Sequence, residues 1–96
     1  MLAAFSITPL GTGDSVSDSV AEAVRIVRSS GLPNETNAMF TNVEGEWDEV
    51  MDVIRRCVER VLEGAPRASV TMKLDVRPGT TDGLTSKVRA VEEHLA

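Results

Sequence analysis

The hydrophobic period of this chain switches between two and about 3.6 along its length, and the order of those switches limits the fold more than any single motif. Ala3, Phe5 and Ile7 alternate with Leu2, Ala4, Ser6 and Thr8, the pattern of a strand with one buried face. From Val16 the period lengthens: Val16, Val20, Ala23, Val24 and Val27 share a helical stripe of about 15 residues, with a Ser15–Asp18 capping pattern before it and Gly31 and Pro33 after it. The mixed segment ETNAMFTNVEGE, residues 35–46, fits a hairpin better than a helix. Trp47, Val50, Ile54, Cys57, Val58 and Val61 mark a second helix, opened by acids that suit its N-terminal dipole and closed by Gly64 and Pro66. SVTMKLDV, residues 69–76, is the cleanest alternation, and Leu84, Val88, Val91 and Leu95 describe a final helix after the loop RPGTTDG.

Strand, helix, two strands, helix, strand, helix predicts an α+β fold: a ferredoxin-like βαββαβ sandwich with an additional C-terminal helix, spanning 1–96 as a single domain. Its expected core holds Phe5, Ile7, Val24, Val27, Ile54, Val58, Val70, Met72 and Leu74. The last helix has to pack on a sheet edge, on the open sheet face or on another subunit. A hairpin turning at Phe40-Thr41 sets Met39 opposite Asn42, Ala38 opposite Val43 and Asn37 opposite Glu44. Ala38 and Val43 then join the core, while Asn37, Asn42 and Glu44 emerge on the uncovered face beside Ser6, Thr8, Thr71, Lys73 and Asp75. Such a face can hydrogen-bond a small polar molecule, or it is merely the solvated side of an open sheet.

Residues 6–13, SITPLGTG, raise the question of a phosphate cradle, because glycines before a helix N-terminus admit an anion to backbone N–H groups. The pattern is incomplete: no G-x-x-x-x-G-K-[ST] occurs, and Val16 stands where the third glycine of G-x-G-x-x-G belongs. A plain strand-to-helix turn is the better reading. A net charge of −5 disfavours non-specific attraction to nucleic acid or an anionic membrane. One cysteine excludes an internal disulfide, and with one histidine the chain lacks the clustered ligands of a structural zinc site. No apolar run approaches the roughly 20 residues of a membrane span, and LAAFSIT is short and unflanked by basic residues for a signal peptide, so a cytoplasmic protein is expected.

Three segments in order resemble the small thiamine-binding proteins related to YkoF: SITPLGTG at 6–13, MFTNVEGEWDEV at 39–50 and SKVRAVEEHL at 86–95. The chain departs from the family pattern at Phe40, where glycine is expected, and at Asn37 and Ala38, which replace threonine and proline. The resemblance implies cytoplasmic, non-catalytic binding of thiamine or its hydroxymethylpyrimidine precursor on the open sheet face near a subunit interface. It also implies no further cofactor, and a homotetramer built as a dimer of dimers with sheet surfaces approaching one another. On this reading Ser6, Thr8, Asn37 and Glu44 supply polar contacts, Met39 or Phe40 covers a ring face, and Pro9, Leu10 and Gly11 shape a pocket wall by close backbone approach.

Two other classes remain open: an oligomeric regulatory or structural module that binds another metabolite, and an enzyme working through carboxylates such as Glu44 and Asp75. Nucleophilic catalysis is disfavoured, because His94 lies on a different element from Cys57 and from the pocket hydroxyls. His94 suits a helix C-terminus, Cys57 a core position, and Trp47 an anchor at a helix start in the core or at a subunit contact.

Overall fold

The computed structural model describes residues 1–11 and 16–96, with side chains at all of these except 16 and 17. The capping pattern read at Ser15 and most of the glycine-bearing loop lie outside the described residues. The elements run β1 (Leu2–Leu10), α1 (Val16–Ser29), β2 (Asn34–Thr36), β3 (Thr41–Glu44), α2 (Trp47–Leu62), β4 (Arg67–Asp75) and α3 (Gly83–Leu95). The strands form one antiparallel sheet in the order β2-β3-β1-β4. This is the expected ferredoxin-like arrangement, with α1 and α2 packed on each other and on one face of the sheet.

Strand parity decides what that packing buries. Ala3 and Phe5 of β1 and Val43 of β3 point to the helices and meet Ala23 and Val27 of α1 and Val50, Val53, Ile54, Cys57 and Val61 of α2. Ile7, Val58 and Leu74 pack on this cluster while partly exposed, and Val24 is half-buried. Val70 and Met72 depart from the expected core, at 38% and 40% exposed. They share the helix-facing side with Ile7 and Phe5, as their register shows. However, β4 is an edge strand with no neighbour beyond it, and alternation predicts the face of a residue, not its depth.

The hairpin is the second correction. Its register pairs Asn34 with Val43, Glu35 with Asn42 and Thr36 with Thr41, so the turn spans 37–40 and not Phe40-Thr41. Asn37 causes the change: its Oδ1 accepts the N–H groups of Met39 and Phe40, each at 2.9 Å, and its own N–H donates to the Phe40 carbonyl at 3.0 Å. An asparagine that closes a turn on its own side chain withdraws the following residues from strand pairing. Asn37 therefore does not emerge on the open face, and Ala38 is exposed rather than in the core. The slip is by an even number of residues, so Asn42 and Glu44 keep the face that alternation assigns.

Trp47 begins α2 at 53% exposed and is outside the core. At the far end of β1, Gly11 has φ +81°, and a Cβ there would stand 2.8 Å from Cγ of Pro66. Both the left-handed backbone and that close approach require glycine.

Candidate functional site

The expected site residues separate into three groups along β1. Thr8, Pro9 and Leu10 lie at its outgoing end, opposite Ser69, Ala68 and Arg67, with Gly11 against Pro66. Glu44 lies at the opposite end, facing Leu2. Six residues of strand separate Leu2 from Thr8, roughly 20 Å, so one small molecule does not touch both. Ser6, Asn37 and Met39, by contrast, come together.

These three line a crevice of about 130 Å³ between α1, the middle of β1 and the β2–β3 turn. Phe5 and Ile7 form its floor with Val27, Val20 and Val24 form the α1 wall, and Thr36, Phe40 and Thr41 complete the turn side. The opening exists because the two neighbours of β1 differ in length. β3 pairs with β1 only from Leu2 to Phe5, whereas β4 accompanies it to Leu10. Beyond Phe5 the β3 side of β1 thus has no strand beside it among the described residues, and an unpaired strand edge offers main-chain N–H and C=O groups to a ligand. Parity directs the Ser6 hydroxyl to the open face, opposite Thr71. Because Met1 exchanges both its main-chain bonds with Gly45 on the β3 side, alternation turns the N–H and C=O of Ile7, not those of Ser6, to the unpaired edge. The Oδ1 of Asn37 is committed to the turn, which leaves the Nδ2 donor as its remaining capacity. Met39, 75% exposed, stands at the rim.

Glu44 occupies a different setting. It is only 4% exposed although it sits on the face opposite the main core. α3 covers it: the Gly83 N–H donates to Oε2 at 2.7 Å and the Leu84 N–H to Oε1 at 3.1 Å. The first N–H groups of a helix lack intrahelical acceptors, and a carboxylate satisfies them while complementing the dipole. Gly83 is buried, and a Cβ there would lie 3.0 Å from Oε2, so the close seat of the helix depends on glycine. Lys87 of α3 also pairs with Asp75, whose carboxyl is held below its usual range by that hydrogen bond. A cavity of about 190 Å³ adjoins this junction, but Glu44 already bonds α3 and Asp75 already pairs with Lys87.

Nothing in the sequence marked Val20, Val24, Thr36 or Thr41 as site residues, whereas Phe40 is one of the two residues expected to cover a ring face. The valines read as core stripe, and the crevice depends on where β3 begins. Asp82 stands at the α3 N-cap, but its side chain makes no capping bond, and Glu44 accepts from the helix start in its place. Cys57 is buried, its thiol donates to the Ala23 carbonyl at 3.4 Å, and burial pushes its pKa up to about 11, so it is not a thiolate nucleophile at neutral pH. Among the described residues no group of three metal-ligating side chains occurs, and no helix is long and apolar enough to cross a membrane.

The profile of the thiamine-binding protein family matches residues 3–92. The UPF0045 protein Mb1933 of Mycobacterium bovis is 56% identical over 96 residues, covering 99% of this chain and 94% of the mycobacterial one. The crystal structure of protein MJ1052 from Methanocaldococcus jannaschii superposes with TM-score 0.85 at 35% identity, over 96% of this chain and 95% of that one. The crystal structure of TM0486 from Thermotoga maritima, a protein provisionally assigned to thiamine biosynthesis or salvage, shares the fold with TM-score 0.77 at 23% identity, over 92% and 97% of the two chains.

Proposed function

The chain belongs to the thiamine-binding protein family, and from that premise we propose that it binds thiamine, or the hydroxymethylpyrimidine part of it, without transforming it. The observation that carries this reading is the crevice beside the unpaired edge of β1. An aminopyrimidine is flat, largely apolar on its faces, and carries an amine donor and ring-nitrogen acceptors around its rim. Phe5, Val24 and Phe40 offer apolar surface for the faces, the strand edge at Ile7 offers a main-chain acceptor for the amine, and Nδ2 of Asn37 offers a donor for a ring nitrogen. Met39 at the rim is a flexible thioether suited to cover a bound ring. The site so proposed lies on the helix-covered side of the sheet. Thr8, Pro9, Leu10 and Gly11 shape the end of β1, and Glu44 holds α3.

Two features support a binding role over catalysis. Both carboxylates considered for acid–base work are engaged, Glu44 by α3 and Asp75 by Lys87, and neither lines the crevice. Thiamine incubated with the protein is therefore expected to be recovered unchanged by chromatography. Val24→Trp tests the location: the indole fills the α1 wall, and calorimetry is expected to show thiamine affinity lower by about tenfold to a hundredfold, that is about 1.4 to 2.8 kcal/mol. Undiminished affinity in a folded Val24→Trp variant rules out the crevice.

The same proposal includes a homotetramer assembled as a dimer of dimers, which needs two distinct self-complementary surfaces. Two are present. The outer edge of β4 runs nine residues without a neighbour, with Val70 and Met72 half-open beside it. Val88, Val91 and Leu95 form an exposed stripe on α3, at 57%, 57% and 76%. Light scattering is expected to return four times the 10.3 kDa chain mass. Val88→Lys combined with Val91→Lys is expected to reduce this to the dimer, and a parent protein that scatters as a monomer at micromolar concentration refutes the assembly.

A further inference from the structure

Charge around the crevice is distributed unevenly. Every side chain that lines it comes from the stretches 1–24 and 27–41. In a chain of net charge −5, residues 1–24 and 29–41 hold four acids and no lysine or arginine. Between them stand Arg25, paired with Glu22 on the same helix, and Arg28, exposed in the last turn of α1. An arginine in that position interacts with an anion through water, and only weakly. The lining itself, among the described residues, consists of aliphatic and aromatic side chains with serine, threonine and asparagine.

We infer that this crevice selects among thiamine compounds by charge, accepting the uncharged aminopyrimidine alcohol and the thiamine cation and rejecting phosphate esters of thiamine. The inference rests on the crevice being the thiamine site. Two physical effects act together. Apolar walls do not desolvate a phosphate, because an ionised group placed there without a cation loses its hydration uncompensated. A phosphate kept outside in the water still meets the field of a chain with net charge −5, which favours the cationic thiazolium and opposes an anion. Discrimination of this kind works by repulsion of the wrong ligand as much as by contact with the right one.

Titration calorimetry on the full chain with hydroxymethylpyrimidine alcohol, thiamine and thiamine monophosphate tests it. In low-salt buffer the monophosphate is expected to bind at least about tenfold more weakly than thiamine. The gap should shrink near 1 M salt, where screening acts within about 3 Å. Thr36→Lys adds an ammonium at an exposed lining position and is expected to narrow the gap by strengthening monophosphate binding several-fold. If thiamine and the alcohol bind and the monophosphate matches them, selection by charge is overturned while the site reading stands. A gap that Thr36→Lys leaves untouched overturns it as well. If neither thiamine nor the alcohol binds, the site reading fails and takes this inference with it.

Discussion

Phe5→Ala is expected to lower the stability of the domain by about 3 to 5 kcal/mol, the usual loss when a fully packed aromatic side chain is truncated. Phe5 is 3% exposed on β1, an inner strand with β3 on one side and β4 on the other over Leu2–Phe5. Its ring contacts the core shared with both helices and also floors the crevice. Small domains unfold with a total of about 5 to 15 kcal/mol, so this loss removes a large share of the whole. Urea unfolding followed by circular dichroism measures it, and the midpoint should fall without a change in slope. Phe5→Leu retains most of the apolar volume and should stay folded. It widens the crevice floor, so thiamine affinity is expected to fall even where stability does not. A loss below about 1 kcal/mol for the alanine variant contradicts the packing described.

Glu44→Ala is the second large effect, expected to be about 2 to 4 kcal/mol. Hydrogen bonds to a charged group contribute about 1.5 to 3 kcal/mol, and two N–H groups at the start of α3 lose their acceptor together. For a chain of this length the melting temperature should drop by roughly 4 to 8 °C for each kcal/mol. The loss should be local first. Hydrogen exchange is expected to accelerate across Gly83–Leu95 while the buried face of α2 keeps its protection. Glu44→Gln separates two roles. A glutamine keeps the shape but turns an NH₂ donor toward one of the two backbone donors, so it should loosen α3 nearly as much as alanine does. If α3 instead stays protected while thiamine affinity falls by tenfold or more, Glu44 contacts the ligand, as the family resemblance implies.

Glu44 also shows where reading the sequence stops. Alternation along TNVEGE places it on the face opposite Val43, and that assignment holds. What alternation does not contain is that a helix beginning 39 residues later lies over that face and takes both carboxylate oxygens. Val70 and Met72 teach the same lesson from the other side. They sit on the helix-facing side but at the edge of the sheet, where there is no further strand to close them in.

Periodicity and helix punctuation alone determined the order of elements, the two faces of each strand and the apolar stripes of α1 and α2. Each depends on local geometry, a side-chain repeat of two or 3.6 residues, and a hairpin slip by an even number of residues leaves it unchanged. The turn at Asn37 is a local side-chain closure that periodicity does not contain, and tertiary structure alone decided the depth of each face, the docking of α3 and the crevice. The last of these exists because β3 stops at Thr41 while β4 continues to Arg67, a mismatch in length between two neighbours of one strand. Main-chain edges and cavities of this kind arise from pairings between residues far apart in the chain, and no period within any one segment encodes them.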